Sequence, residues 1–90
     1  MLVRPRITEG HKLLARNIRR WRELRGISTT TLSKAVDWSL ATIEDIERAE
    51  RFDITLNDID QLAEALDVQP MELFVPLGGG TGAPVVLMQR

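Results

Sequence analysis

Two serines, Ser28 and Ser39, constrain this chain more than any other feature. Ser28 stands directly ahead of the run Thr29 to Val36, and Ser39 directly ahead of Leu40, Ile43 and Ile46. A serine hydroxyl accepts a hydrogen bond from a free backbone N–H in the first turn of a helix, so each serine marks a helix start. The first segment turns Leu32, Ala35 and Val36 inward and closes at Asp37, while the second turns Ile43 and Ile46 inward and runs to about Ala49. Only Asp37, Trp38 and Ser39 separate the two, with Trp38 as an apolar anchor in the turn.

The flanking segments are helical as well. Leu14, Ile18, Trp21 and Leu24 recur at spacings of four and three, predicting a first helix that begins after Thr8 and ends before Gly26. After the charged stretch Glu50 to Asp53, Thr55 and Asp58 form a capping-box pair ahead of Leu56, Ile59, Leu62, Ala63 and Leu66, a fourth helix. Pro70 suits a first helical position, and Met71, Leu73 and Phe74 make a last short turn of helix that folds back on the core. The fold class is therefore all-α: a compact five-helix bundle in which the second and third helices, joined by a tight turn, form a helix-turn-helix. Its expected boundaries are a basic arm over 1–8, the domain over 9–77, and a glycine-rich linker with a short apolar tail over 78–90. Val85 to Met88, beyond Gly78, Gly79, Gly80 and Gly82, form either a frayed end or a strand that pairs with a partner chain.

Composition narrows the functions open to such a bundle. Ninety residues, 43% hydrophobic and 28% charged, suit one folded soluble domain. Without cysteine there is no disulfide framework and no thiolate metal site, and a single histidine, His11, cannot form a histidine cluster. His11 reads as a solvent-facing helix residue, and no carboxylate pair suggests acid–base work, so neither an enzyme, a cofactor, a metal nor a small-molecule substrate is expected. No apolar run approaches the roughly 20 residues that span a bilayer, and the amino terminus lacks a secretory layout, which points to the cytoplasm. The net charge of −1 conceals a division: residues 1–27 carry eight cations against two carboxylates, and residues 28–77 carry three against eleven. Such a division serves a phosphate-contacting arm, two mutually attracting surfaces, or a solvated helix face.

The register of the central segment is specific. Ser28, Leu32, Ser39, Thr42, Ile43, Ile46, Glu47 and Arg48 fall without a gap into a known pattern, and Leu62 to Val68 and Glu72-Leu73-Phe74 continue it. In these positions Ile27 to Arg51, ISTTTLSKAVDWSLATIEDIERAER, resembles the helix-turn-helix of the phage-repressor (XRE, Cro-type) family, and the resemblance extends from Ile18 to Phe74. It implies a sequence-specific regulator of transcription that binds double-stranded DNA as a homodimer, with its third helix in the major groove. It also implies a structural ion pair between Arg22 and Glu47. Asp37 stands where the family usually has glycine, and an aspartate tolerates the left-handed backbone such a turn uses.

Mapped onto that resemblance, base readout falls to Leu40, Ala41, Glu44 and Asp45. Leucine and alanine offer apolar contact to a thymine methyl, and carboxylates accept from the cytosine amino group, so specificity would lean on these and on DNA shape. Phosphate contact falls to Thr29, Thr30, Ser39, Thr42, Arg48 and Arg51, the threonines serving either phosphate or their own helices. Arg4 and Arg6, flanking Pro5, form either a minor-groove arm or a disordered terminus. Trp21 and Trp38 belong to the core. The alternative is a protein-interaction module on the same fold, an anti-repressor or co-regulator that has lost DNA binding and docks a basic protein partner through Leu40, Ala41 and the acidic face.

Overall fold

Each α-helix starts on a side chain placed to receive one of its first free amides. In the computed structural model, which describes residues 6–76, α1 spans Glu9–Leu24, α2 Thr29–Val36, α3 Leu40–Glu47 and α4 Leu56–Leu66, and a 3-10 helix follows over Pro70–Phe74. Thr8, Ser28, Ser39 and Thr55 accept from the backbone N–H of His11, Thr31, Thr42 and Asp58. Among the described residues there is no strand. The glycine-rich linker and the tail from Val85 to Met88 lie outside these residues.

All four α-helices stop in the same way. The residue after the last turn is left-handed (Gly26 at φ 70°, Asp37 at 60°, Ala49 at 58°, Asp67 at 60°). Its N–H and that of the next residue then bond back to carbonyls of the final turn: Gly26 to Glu23 and Ile27 to Arg22, Asp37 to Lys34 and Trp38 to Ser33, Ala49 to Ile46 and Glu50 to Asp45, Asp67 to Glu64 and Val68 to Ala63. In three cases the next residue is apolar, and Ile27, Trp38 and Val68 all pack against the core as this motif favours. α3 is thus shorter than the sequence predicts, ending at Glu47 because Ala49 has already turned left-handed.

The fifth helix is corrected: Pro70–Phe74 is a 3-10 helix, not an α-helix. Pro70 fixes its start, and Pro76 disfavours helical backbone at Val75, so only one tight turn fits between them. With three residues per turn, Met71 and Phe74 share an outward side while Leu73 alone is fully buried.

The core is built from Leu14, Ile18, Leu32, Val36, Ile43, Ile46, Ile59, Leu62, Ala63, Leu66 and Leu73, with α1 packed on α3, α4 and the 3-10 helix. Three further residues expected inside are exposed. Leu24 lies off the stripe, because the step of four from Trp21 lands on Arg25; Ala35 lies beside the buried Leu32, Ser33 and Val36; and Leu56, at the first position of α4, points back past the helix end. Arg25, itself exposed, lies across this edge, donating to the carbonyls of Leu66 and Asp67 at 2.8 Å and covering the Trp21 ring at 5.1 Å.

Alanine in the left-handed region is strained where glycine is not. Ala49→Gly is expected to stabilise the fold by about 1 kcal/mol, read as a higher urea midpoint, while Asp37→Gly gives a smaller gain because aspartate tolerates that backbone.

Candidate nucleic-acid interface

The placement of α3 starts from a buried charge. Glu47 retains only 9% of its accessible surface, and its carboxylate is gripped by Arg22: Nε donates to Oε2 at 2.7 Å and Nη2 to Oε1 at 3.1 Å. The third arm of the fork, Nη1, donates to the Ile27 carbonyl at 3.1 Å, just ahead of α2. One guanidinium therefore ties α1, the entry to α2 and the end of α3. The Glu47 hydrogen bonds raise the Arg22 pKa above the ordinary arginine value against the opposing effect of burial, with the negative charges of Glu47 and Glu23 adding to them.

Held in this way, α3 buries Ile43, Ile46 and Glu47 and turns its other face outward. Leu40 is 39% exposed, Ala41 is exposed, and the Glu44 and Asp45 side chains are partly exposed, so the four residues expected to read bases share one accessible strip. Ser39 and Thr42 are joined at the helix start, Oγ to Oγ1 at 2.8 Å, with Thr42 N donating to Ser39 at 3.1 Å. On α2, Thr29 is half-buried and Thr30 exposed, while the cap itself belongs to Ser28 and Thr31.

The two cations expected to hold phosphate are already occupied. Arg48 lies 3.7 Å from Glu44, 3.6 Å from Asp45 and 3.6 Å from Glu50, and Arg51 lies 3.3 Å from Asp53. These pairs are solvent-exposed and individually weak, yet together they leave the outer face of α3 and the turn after it with three carboxylates around a single guanidinium. Arg6 is exposed ahead of α1, and Arg4 lies outside the described residues.

Several structurally engaged polar residues escape the sequence reading. His11, expected to face solvent, is half-buried: Nδ1 accepts from Thr8 N–H at 3.0 Å, so Nε2 carries the proton and donates to the Phe52 carbonyl at 3.0 Å. Asn17, 1% exposed, donates to the carbonyls of Leu73 at 2.7 Å and Val75 at 3.0 Å, pinning the 3-10 helix to α1. Its spacing of three from Leu14 and four from Trp21 was the available signal. Among the described residues, no group of three metal-ligating side chains is assembled, and no helix is long and apolar enough to cross a membrane.

Comparison with known proteins agrees with this geometry. Residues 13–73 match the family described as the helix-turn-helix domain. A crystal structure of a hypothetical transcription factor, NHTF from Neisseria, superposes with a TM-score of 0.73 at 26% identity, over 86% of this chain and 87% of that one. The restriction-modification controller protein C.AhdI from Aeromonas hydrophila superposes with a TM-score of 0.69 at 30% identity, over 74% of this chain and 100% of its own. No curated protein matches the chain significantly.

Removing one partner of a buried pair strands the other charge. Arg22→Ala is expected to cost about 3 kcal/mol or more in urea unfolding, and the Arg22→Ala, Glu47→Ala double variant less than the sum of the two single losses. Arg22→Lys should recover only part, since an ammonium cannot span both carboxylate oxygens and the Ile27 carbonyl.

Proposed function

The chain belongs to the helix-turn-helix domain family, and from that premise we propose that it is a sequence-specific DNA-binding regulator of transcription. The observation that carries the reading is the two-sided α3: one face is locked into the core through Ile43, Ile46 and Glu47, and the other presents Leu40, Ala41, Glu44 and Asp45 to solvent. A helix held rigidly at its inner face with an open outer face suits insertion into a major groove. The relatives whose names describe a transcription factor and a restriction-modification controller support the same reading.

In the proposed complex, Leu40 and Ala41 meet thymine methyls, and Glu44 and Asp45 accept from cytosine amino groups. Thr29, Thr30, Ser39, Thr42, Arg48 and Arg51 face the backbone, and Arg4 and Arg6 extend toward the minor groove. The protein acts as a homodimer on two half-sites about one helical turn apart. Phe52, Leu56 and Phe74 supply exposed apolar surface for a second copy to cover. The proposed domain limits are 9–77, with the arm before and the tail after, and the proposed compartment is the cytoplasm. No catalytic role is proposed.

The acid excess around Arg48 favours a second reading, in which α3 docks a basic protein rather than DNA. The two separate in one titration. Fluorescence anisotropy against a random duplex pool is expected to show binding that selects a subset of sequences and weakens steeply with salt. Leu40→Gln and Asp45→Asn are expected to change which sequences are selected, a change of roughly 1–3 kcal/mol per affected base pair. Unchanged selection in both variants would remove α3 as the reading element. A DNA-independent complex with a basic partner, lost on Leu40→Lys, would establish the second reading.

A further inference from the structure

The cations of α1 and of its C-terminal cap fall into two sets. Arg22 is committed to Glu47 and the Ile27 carbonyl, Arg25 to the carbonyls of Leu66 and Asp67, and Lys12 to Glu9 at 3.3 Å. Arg16, Arg19 and Arg20 recur at spacings of three and four along one exposed side of the helix. Among the described residues, the carboxylate that comes within 4 Å of this triad is Glu47, 3.8 Å from Arg19, and it is already doubly bonded by Arg22. The three arginines border a hollow of about 290 Å³ that also touches Asn17, Glu23 and Glu47.

We infer that Arg16, Arg19 and Arg20 form the principal phosphate-contacting surface of the protein, gripping the sugar-phosphate backbone of the duplex that α3 reads. The inference rests on the DNA-binding reading above and goes beyond it, since it moves the electrostatic grip from Arg48 and Arg51 to α1.

Three observations lead there. The first is need: Glu44, Asp45 and Glu50 outnumber Arg48, so α3 approaches a polyanion with an unfavourable face of its own, and the attraction must come from elsewhere. Position is the second. Arg19 stands beside the end of α3, one turn of α1 from Arg22, which touches the entry to α2, so the ridge begins where α1 is tied to the end of α3. The third is chemistry. A guanidinium offers a planar fork that suits phosphate oxygens, and three of them on adjacent helical turns face a backbone whose charges repeat at regular intervals. Such contacts are indifferent to sequence, which leaves selection to α3.

The test uses the full chain and a fluorescein-labelled 24-base-pair duplex of mixed sequence, titrated at several salt concentrations. The Arg16→Gln, Arg19→Gln, Arg20→Gln variant is expected to reduce the slope of log K against log salt by about 2–3 per bound protomer and to bind at least ~10-fold more weakly at 0.1 M salt. The Arg48→Gln, Arg51→Gln variant should lower the slope by about 1 or less, because both side chains already face carboxylates. The corresponding triple lysine variant should restore most of the slope, which a purely structural role would not allow. A triple glutamine variant with an unchanged circular dichroism melt and an unchanged slope would overturn the inference while leaving DNA binding intact. Wild-type protein that binds polyglutamate but no duplex would overturn both, and that failure is visible before any variant is made.

Discussion

A carboxylate enters a protein interior only with a partner that replaces the water it gives up. Glu47 is such a carboxylate, and Arg22 answers both of its oxygens while a further N–H reaches the Ile27 carbonyl. Because the guanidinium is planar and rigid, those bonds can be made together only if α1, the turn before α2 and the end of α3 hold one relative position. Everything on the outer face of α3 inherits its aim from this point. The pair need not add much net stability over an apolar substitute; its consequence is geometric, since either partner left alone would be costly.

The remaining sutures follow the same logic on a smaller scale. Short connections between short helices leave carbonyls that no helix can satisfy, and in a domain this size the apolar core is too small to absorb many of them. Arg25 closes the end of α4, Asn17 holds two carbonyls around the 3-10 helix, and His11 joins the start of α1 to the loop after α3. Each uses a polar side chain on α1 or at its C-terminal cap to secure an element distant in sequence. α1 is therefore the spine of the fold, with its inner face spent on packing and on closing backbone groups. Its outer side, free of those tasks, is where Arg16, Arg19 and Arg20 stand.

How far the sequence reveals this depends on the range of the interaction. Helix starts at Thr8, Ser28, Ser39 and Thr55 are legible because a cap is decided within three residues. The chain stop at Gly26 is equally plain, whereas Ala49 conceals its left-handed backbone behind a residue that ordinarily favours helix. Periodicity finds Leu14, Ile18, Leu62 and Leu66 but misplaces Leu24, because it cannot tell that an arginine one step further has a carbonyl pair to reach. Met71 and Phe74 mislead for another reason: in a turn of three residues they share one side, and only Leu73 faces the core. The accessible strip of α3 could be drawn from spacing alone. The pairing of Arg48 with Glu50 could not, since the left-handed turn at Ala49 folds the loop back to bring them together.

The acidic character of that strip has a consequence for recognition. Carboxylates facing a polyanion lower the affinity for every duplex by a similar amount, and that cost is recovered only where a base edge offers a donor such as the cytosine amino group. A helix of this composition discriminates mainly by penalty: most sequences are repelled, and a few are repelled less. Such a reader requires a strong and sequence-blind attraction somewhere else on the molecule, or it would bind nothing at physiological salt. On the proposed arrangement the work is divided, with α1 supplying attraction and α3 supplying rejection. The Arg22–Glu47 contact keeps the two helices in a fixed relation, and in that proposed arrangement phosphate contact at one would set the depth at which the other meets the bases.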